Sequence, residues 1–239
     1  MTLSDVAAVT ALSWNTVKAI VKARLQKDYG HIPLRDLRLL AIDEIYVGKR
    51  KQYYTVVLDL ESGRIVWVSR GRGQAALQGF WRRLRLSKAK IEAVAMDISG
   101  AYWAAVVAAL PKAKVVFDRF HIIKLMNEEL DDLRRAVVRE AQGPLKLVIK
   151  GTRYLLLMRG DNLKEEQLPK LEKALALNAP LSLAWYLKEE LTLLWEQPSY
   201  KAMEQFLRQW CARAMVTGIK QLAQMAKTLL THWTGLLNW

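Results

Sequence analysis

Between residues 37 and 121, the spacing of apolar residues switches between the period of a strand and the period of a helix. Three β-branched and aromatic runs come first, and a tight Glu-Ser-Gly turn joins the second to the third. A helix, a strand, a helix and a last strand follow. A meander followed by βαβ crossovers predicts a mixed sheet with helices on both faces. The seven runs are "LRLLAIDEIYV", "QYYTVVLDL", "RIVWVSRG", "QAALQGFWRRLRL", "IEAVAMDIS", "GAYWAAVVAAL" and "KAKVVFDRFHI".

This β-β-β-α-β-α-β order is that of the ribonuclease-H-like fold, and we predict a core of this type over residues 31–121. Residues 1–30 contain two short helical patterns, with Ser4 and Ser13 as the predicted N-caps. They outline a partial helix-turn-helix, although an ordinary helical hairpin fits the same pattern. Residues 122–239 are predicted to be all helical. The predicted fold class is therefore α/β, with a helix-turn-helix remnant before the core and an all-α block after it.

The charge of the chain favours a polyanionic partner, most simply nucleic acid. The 239 residues include 37 Lys and Arg against 23 Asp and Glu, a formal net charge of +14. Residues 31–121 carry sixteen of these cations against eight acids, so the excess is concentrated in the predicted core.

The single cysteine, Cys211, argues against a disulfide framework and a cysteine-rich zinc module. We expect a cytoplasmic protein with no membrane partner, since neither a leader pattern nor a spanning apolar run occurs.

Two groups of polar residues are candidates for contacts with double-stranded DNA. If the second helical pattern is a recognition helix, residues near its N-terminus would enter the major groove and later cations would reach phosphates. This first group comprises Asn15, Thr16, Lys18, Lys22 and Arg24. The second group follows the third strand and continues through the next helix: Arg70, Arg72, Arg82, Arg83, Arg85 and Lys88.

Two aspartates interrupt apolar strands of the predicted sheet. Asp43 lies within the first strand, where an unpaired buried carboxylate would cost several kcal/mol, so we expect a cation beside it. Asp97 lies at the C-terminal end of the fourth strand. Since the first and fourth strands are neighbours in a ribonuclease-H-like sheet, the two carboxylates are predicted to converge. Alternation places Glu44 on the opposite face, where we expect a basic partner.

Paired aspartates between apolar strands are suited to Mg²⁺ or Mn²⁺, which prefer hard oxygen ligands. Two such ions about 3.5–4 Å apart stabilise the attacking and leaving oxygens during phosphodiester cleavage. From spacing alone, separate pairing of each aspartate with an arginine is an equally good interpretation. Asp97 is also followed by Ser99 at a predicted helix start, so a capping role is a further alternative.

Other polar residues nearby have simpler interpretations. Asp59 and Glu61 flank the hairpin and are predicted to be turn residues. Asp118 could join the acidic site, but a structural pairing with Arg119 or His121 is the favoured interpretation. His121 itself is interpreted as a hydrogen-bonded structural histidine rather than a general base.

Longer motifs carry a resemblance to one protein family. The segments "LLAIDEIYVGKRKQYYTVVLDLESGRIVWVSRGR", "VAMDISGAYWAAV", "KVVFDRFHIIKLMNEELDDLRR", "TRYLLLMRGDNL", "LALNAPLSLAWYLKEEL", "PSYKAMEQFLRQWCARA" and "GIKQLAQMAKTLLTHWTGLLNW" occur in this order. Together they resemble the ISL3-type transposases of bacterial insertion sequences, which belong to the DDE class. The resemblance implies cleavage and strand transfer at insertion-sequence DNA ends by three acids and two metal ions. It also implies a homodimer or higher oligomer associated with the nucleoid.

In that family, Asp43 and Asp97 match the first two acids, and the third is a Glu after the equivalent of "GLLNW". The chain stops at Trp239, so we expect a fragment truncated at both ends and largely inactive by itself. One alternative is a non-catalytic DNA-binding or dimerising fragment that modulates intact transposase. Another is an unrelated ribonuclease-H-like nuclease that completes its site with Asp118.

Overall fold

The α/β fold contains a five-stranded mixed sheet. The computed structural model describes residues 1–30, 32–48 and 52–239. The strand order is β3-β2-β1-β4-β5. β2 and β3 are antiparallel and β4 and β5 are parallel, which confirms the predicted mixed α/β architecture. The strands are β1 (Leu39–Val47), β2 (Gln52–Asp59), β3 (Ile65–Arg70), β4 (Ala93–Met96) and β5 (Lys114–Phe117).

Helices precede the sheet, connect its later strands and make up the C-terminal half of the chain. None of them, within the described ranges, is both long enough and apolar enough to cross a bilayer. Short 3-10 segments interrupt the C-terminal half at Gly160–Asn162, Glu165–Gln167 and Thr192–Glu196. The helices are α1 (Leu3–Thr10), α2 (Trp14–Tyr29), α3 (Gln74–Ser87), α4 (Gly100–Ala109), α5 (Arg119–Glu140), α6 (Gly143–Lys150), α7 (Arg153–Leu157), α8 (Leu168–Ala176), α9 (Ala179–Leu191), α10 (Tyr200–Val216), α11 (Lys220–Thr231) and α12 (Trp233–Leu237).

Capping residues determine where the first two helices begin. Ser13 caps α2 as predicted, since its hydroxyl accepts a hydrogen bond from the Thr16 amide at 3.1 Å. The predicted cap of α1 at Ser4 is wrong. Thr2 caps this helix instead, in a reciprocal pair with Asp5 in which each side chain accepts from the other's backbone amide. The hydrogen bond that the Asp5 carboxylate accepts from the Thr2 amide lowers the pKa of Asp5.

The last strand is shorter than its apolar pattern predicts. The pattern continues to residue 122, but β5 ends at Phe117 and α5 begins at Arg119. Asp118 causes this change because its carboxylate accepts a hydrogen bond from the Phe120 amide at 2.9 Å and so caps the helix. His121 therefore lies in the first turn of a helix.

The chain divides into two compact units. Unit 1 comprises Met1–Leu40 and Glu44–Ile91, and unit 2 comprises Ala41–Asp43 and Glu92–Trp239. The predicted domain boundaries at residues 30 and 121 remain predictions. His31, the first residue of the predicted core, lies outside the described residues.

In unit 1, α3 supplies more of the buried apolar side chains than any other described element. Its buried side chains include Leu77, Phe80 and Trp81. Trp67 of β3 packs against Phe80, with 6.1 Å between ring centroids, and donates its indole N–H to the Ala76 carbonyl at 3.1 Å. The N-terminal helices are much less buried: α1 contains no buried residue and α2 contains only Val17.

In unit 2, two buried polar side chains form hydrogen bonds between helices. The buried Trp210 indole donates to the Leu187 carbonyl at 2.9 Å. The buried Lys188 ammonium donates to the carbonyls of Leu156 and Met158, at 3.0 and 2.6 Å. Burial lowers the pKa of Lys188. These contacts hold α9 against α10 and against the C-terminal end of α7.

The C-terminal helix α12 packs closely on β5. Asn238 donates to the Val115 carbonyl at 2.8 Å. The Cα of Gly235 lies so close to the Phe117 ring that an added Cβ would be 2.3 Å from it. The "GLLNW" motif therefore contributes to the packing of the last strand.

Candidate metal centre

Asp43 lies in the middle of β1 and is exposed to solvent. Burial in this strand is confined to Leu40 and Ile42, and Ile45 onward is exposed. The prediction that this carboxylate is buried is therefore wrong. An exposed carboxylate keeps much of its hydration, so the desolvation cost that demanded a cation largely disappears. The same exposure leaves the carboxylate open to a large substrate.

Asp97 directly follows β4, and β4 is the neighbour of β1 in the sheet, as predicted. Its side chain is 32% exposed. Ser99, rather than Asp97, occupies the N-cap position of α4, so the capping alternative is not what the structure shows. One carboxylate oxygen of Asp97 lies 2.6 Å from Nε2 of His121.

His121 completes the cluster from the first turn of α5. Ligand atoms of Asp43, Asp97 and His121 all lie within 4.8 Å of one another. Asp118 lies farther out, with its carboxylate 3.9 Å from His121 Nε2, beyond hydrogen-bond distance. Asp118 serves as the cap of α5 instead. The described part of the chain thus brings together two residues predicted for the site and one that was interpreted as purely structural.

The donor set fits a hard divalent cation. Two carboxylates supply the oxygen ligands that Mg²⁺ and Mn²⁺ prefer. The 2.6 Å distance fits a hydrogen bond in which His121 Nε2 donates to Asp97, and a nitrogen that donates has no lone pair for an ion. In this geometry Asp43 and Asp97 are the candidate ligands. His121 orients the second of them, as outer partners of metal ligands commonly do.

The acids that flank the hairpin are turn residues, as predicted. The Glu61 amide donates to an Asp59 carboxylate oxygen at 3.2 Å, and Ser62 bonds the other oxygen. The hydrogen bond from Ser62 lowers the pKa of Asp59. Glu61 lies 3.5 Å from Arg38.

The candidate DNA-contacting side chains of α2 are exposed, but several have neighbours of their own. The Thr16 hydroxyl lies 2.8 Å from that of the cap residue Ser13. The Lys18 ammonium lies 4.9 Å from the centroid of the Trp14 ring. Arg24 pairs with Asp28 at 2.6 Å. Asn15 and Lys22 are exposed on the same helix.

In the second group, five cations are exposed and the sixth, Arg83, contacts other residues of unit 1. Arg83 is half-buried, donates to the Ile32 carbonyl at 3.3 Å and lies 6.0 Å from the centroid of the Trp67 ring. A packing role explains this residue without DNA. The exposed members are Arg70, Arg72, Arg82, Arg85 and Lys88.

Comparison with known proteins identifies the class of protein to which this chain belongs. Residues 40–239 match the ISL3-type DDE transposase family, described as transposase. The chain belongs to this family.

Two curated relatives are transposases of named insertion sequences. The transposase for IS1001 of Bordetella parapertussis is 33% identical over 238 residues, covering 97% of this chain and 58% of that protein. The transposase for IS1557 of Mycobacterium tuberculosis is 28% identical over 247 residues, covering 92% of this chain and 55% of that protein. The chain thus spans a little over half the length of these relatives.

Proposed function

We propose that this chain takes part in DNA cleavage and strand transfer at the ends of an insertion sequence, with Asp43 and Asp97 as ligands of Mg²⁺ or Mn²⁺. The observation that carries this proposal is the approach of the two carboxylates from neighbouring strands, within 4.8 Å of each other and of His121. The β-β-β-α-β-α-β order around them supports a ribonuclease-H-like core. Membership of a transposase family supports DNA as the substrate.

The exposed and the half-buried aspartate have different tasks in this proposal. A divalent ion held by Asp43 and Asp97 would activate the attacking hydroxyl and would offset the charge that develops on the phosphate. Asp97, fixed by His121, provides a ligand that is oriented before substrate arrives. Asp43 is exposed and therefore accessible to the DNA backbone. Water is the first nucleophile, and the freed 3′-hydroxyl is the second.

The direct test is Mn²⁺ binding, followed by the loss of the free-ion signal in electron paramagnetic resonance. We expect Asp43→Asn and Asp97→Asn to weaken Mn²⁺ binding by more than about tenfold, since loss of an outer partner alone costs about 10–100-fold. His121→Gln should weaken Mn²⁺ binding by about 10–100-fold, because it removes an outer partner of Asp97. Asp132→Asn, which removes an exposed carboxylate of α5 outside the cluster, is the matched control. Unchanged Mn²⁺ affinity in both Asp43→Asn and Asp97→Asn would refute the proposed site.

The third acid remains a prediction from the resemblance. Two fixed carboxylates are few for two Mg²⁺ ions, each of which needs near-octahedral coordination and releases water reluctantly. We therefore expect little or no cleavage of insertion-sequence ends by the 239-residue chain alone. Adding the segment that follows "GLLNW" in a relative, fused or as a separate polypeptide, should raise cleavage. Robust Mg²⁺-dependent cleavage by the 239-residue chain alone would contradict this part of the proposal.

A second candidate function is DNA binding without cleavage, in a protein that associates with intact transposase. The distribution of charge favours it. Unit 1 contains seventeen Lys and Arg against six Asp and Glu, a balance of +11, and it contains none of Asp43, Asp97 and His121. The predicted contacts from α2 and from the exposed cations after β3 belong to this unit.

Salt-dependent DNA binding separates the two candidates. Phosphate contacts make affinity fall steeply as salt rises. If DNA binding survives Asp43→Ala and Asp97→Ala and no cleavage occurs even with the added segment, the non-catalytic function is favoured.

Sedimentation of the free and DNA-bound chain would test the proposed homodimer or higher oligomer in the same samples.

A further inference from the structure

Two tyrosines and an arginine form an exposed cluster in unit 1, apart from the groups predicted to bind metal. Tyr46, near the end of β1, lies 5.3 Å from Tyr53 of β2 between ring centroids, at an interplanar angle of 57°. The Arg72 guanidinium lies 5.0 Å from the centroid of the Tyr53 ring. Tyr53 is thus in contact with an aromatic ring and with a cation.

The backbone after β3 is shaped to place Arg72 there. Gly71 and Gly73 flank this arginine with φ of +97° and +79°, values that side chains with a Cβ rarely adopt. The Gly71 amide donates to the Tyr53 carbonyl at 2.7 Å. The hydroxyl of the fully buried Thr55 donates to the Gly71 carbonyl at 3.0 Å. Two hydrogen bonds to β2 therefore fix the turn that carries the guanidinium.

The cluster presents aromatic surface to water in the basic unit. Tyr46 is 53% exposed and Arg72 is exposed, whereas Tyr53 is half-buried beneath them. Exposed aromatic rings beside a guanidinium are the components of single-stranded nucleic acid sites, in which bases stack on rings and cations bind phosphates. In a duplex, each base is already stacked on its neighbours, so its faces are not available to a protein ring.

We propose that Tyr46, Tyr53 and Arg72 bind an unpaired nucleotide of the DNA substrate. The base stacks on the exposed Tyr46 ring, Arg72 contacts the adjoining phosphate, and Tyr53 holds both groups in place. This inference rests on the proposed DNA function and specifies the form of DNA that the basic unit recognises. Strand ends freed by cleavage, or bases unpaired beside a cleavage site, are the corresponding ligands.

The test compares a fluorescently labelled single-stranded oligothymidine with a duplex of the same length, by anisotropy in EDTA so that no metal contributes. We expect Tyr46→Ala to weaken oligothymidine binding about fivefold or more, the lower end of base–aromatic stacking, and to leave duplex binding unchanged. Tyr46→Phe keeps the ring and should keep the affinity. Arg72→Ala should weaken binding of both probes, because every strand carries phosphates.

Tyr154→Ala in unit 2 is the matched control. Tyr154 is 75% exposed and has the Arg153 guanidinium 5.7 Å from its ring centroid, but it belongs to the nearly neutral unit. Oligothymidine affinity that is unaffected by Tyr46→Ala, or reduced equally by Tyr154→Ala, overturns the inference. The inference is also overturned if the wild-type chain binds no oligothymidine. The proposed metal site is decided separately, because Mn²⁺ binding by Asp43 and Asp97 is measured without DNA.

Discussion

The two units differ sharply in electrostatic character. Unit 1 carries seventeen cations against six acids, whereas unit 2 carries twenty against seventeen and includes Asp43, Asp97 and His121. A strongly one-signed surface repels itself and attracts polyanions. A metal centre instead needs acids held by a rigid scaffold. Under the proposed function, attraction for DNA would therefore come mainly from unit 1, and the chemistry would take place in unit 2.

The units also differ in how much of each helix is buried. In unit 1, only Val17 is buried among all the residues of α1 and α2. In unit 2, α10 and α11 together bury nine residues. Since most helix stability comes from the packing of an apolar face, α1 and α2 should open at lower free energy than the helices of unit 2.

The largest expected effect comes from a buried ion pair in unit 2. Asp131 accepts from Arg134 Nε at 2.7 Å, and their side chains are only 8% and 10% exposed. Arg153 of α7 lies 3.4 Å from the other oxygen. Asp131→Ala leaves the Arg134 guanidinium buried without its partner, so we expect a loss of about 3–5 kcal/mol in the free energy of unfolding by urea.

The neighbouring residue provides the control for that measurement. Asp132 pairs with Arg135 on the surface, where both side chains are more than half exposed. Asp132→Ala should therefore change the free energy of unfolding by about 0–1 kcal/mol. Equal losses in the free energy of unfolding for Asp131→Ala and Asp132→Ala would show that the buried ion pair stabilises unit 2 no more than the exposed pair does.

A second large effect is expected where α12 approaches β5. The Cβ added by Gly235→Ala would lie 2.3 Å from the Phe117 ring, so either the ring or the helix must shift. We expect a loss of about 1–3 kcal/mol, as for other overpacked cores. Gly100→Ala is the control, because open space surrounds a Cβ there. If thermal denaturation shows equal losses of stability for Gly235→Ala and Gly100→Ala, the described close packing of Gly235 against Phe117 does not exist in solution.

A pH-dependent effect of intermediate size is expected from Cys211, which is 2% exposed. Burial raises the pKa of this thiol to about 11 from 9.0. Between these values the unfolded chain loses the proton first, so the stabilising contribution is complete below pH 9 and is lost as pH rises through about 11. We expect a difference on the order of 2 kcal/mol between the extremes.

Cys211→Ala isolates that contribution. Burial lowers the pKa of Lys188, which gives stability the opposite slope in alkaline solution, but this lysine is common to both proteins and cancels in their difference. The free energy of unfolding should therefore fall more steeply from pH 9 to 11 in the wild type than in Cys211→Ala. Parallel curves would show that the thiol is not buried as described.

The adjacency of β1 and β4 and the approach of Asp43 to Asp97 were predicted, because the order of strands and helices matches a ribonuclease-H-like sheet, in which the first and fourth strands are neighbours. The exposure of Asp43 does not follow, since the apolar residues around it predict burial on both faces. Exposure depends on which elements cover the sheet, and Ile45, Tyr46 and Val47 are all exposed in spite of their apolar or aromatic character.

The position of His121 beside Asp97 was not predicted, because the sequence around Asp118 was interpreted as a continuing strand. The apolar run "KVVF" continues into "FHI", and periodicity alone extends the strand through both. An Asp before a helical run is an N-cap signal, and applying it to Asp118 would have started α5 at the next residue. The histidine then falls one turn from the end of β5, near Asp97. The packing role of Arg83 was not predictable, because its partner is a backbone carbonyl 51 residues away in the chain.

The smallest expected effect tests whether α2 is as sparsely packed in solution as its exposure indicates. Val17 and Val21 are one turn apart in α2, yet Val17 is 4% exposed and Val21 is 38% exposed. Val17→Ala should lower the free energy of unfolding by about 1–2 kcal/mol, from the apolar surface it no longer buries. Val21→Ala should change it by no more than about 0.5 kcal/mol. Losses of equal size would mean that the outer face of α2 is covered in solution, and the contrast in burial between the two units would then no longer hold.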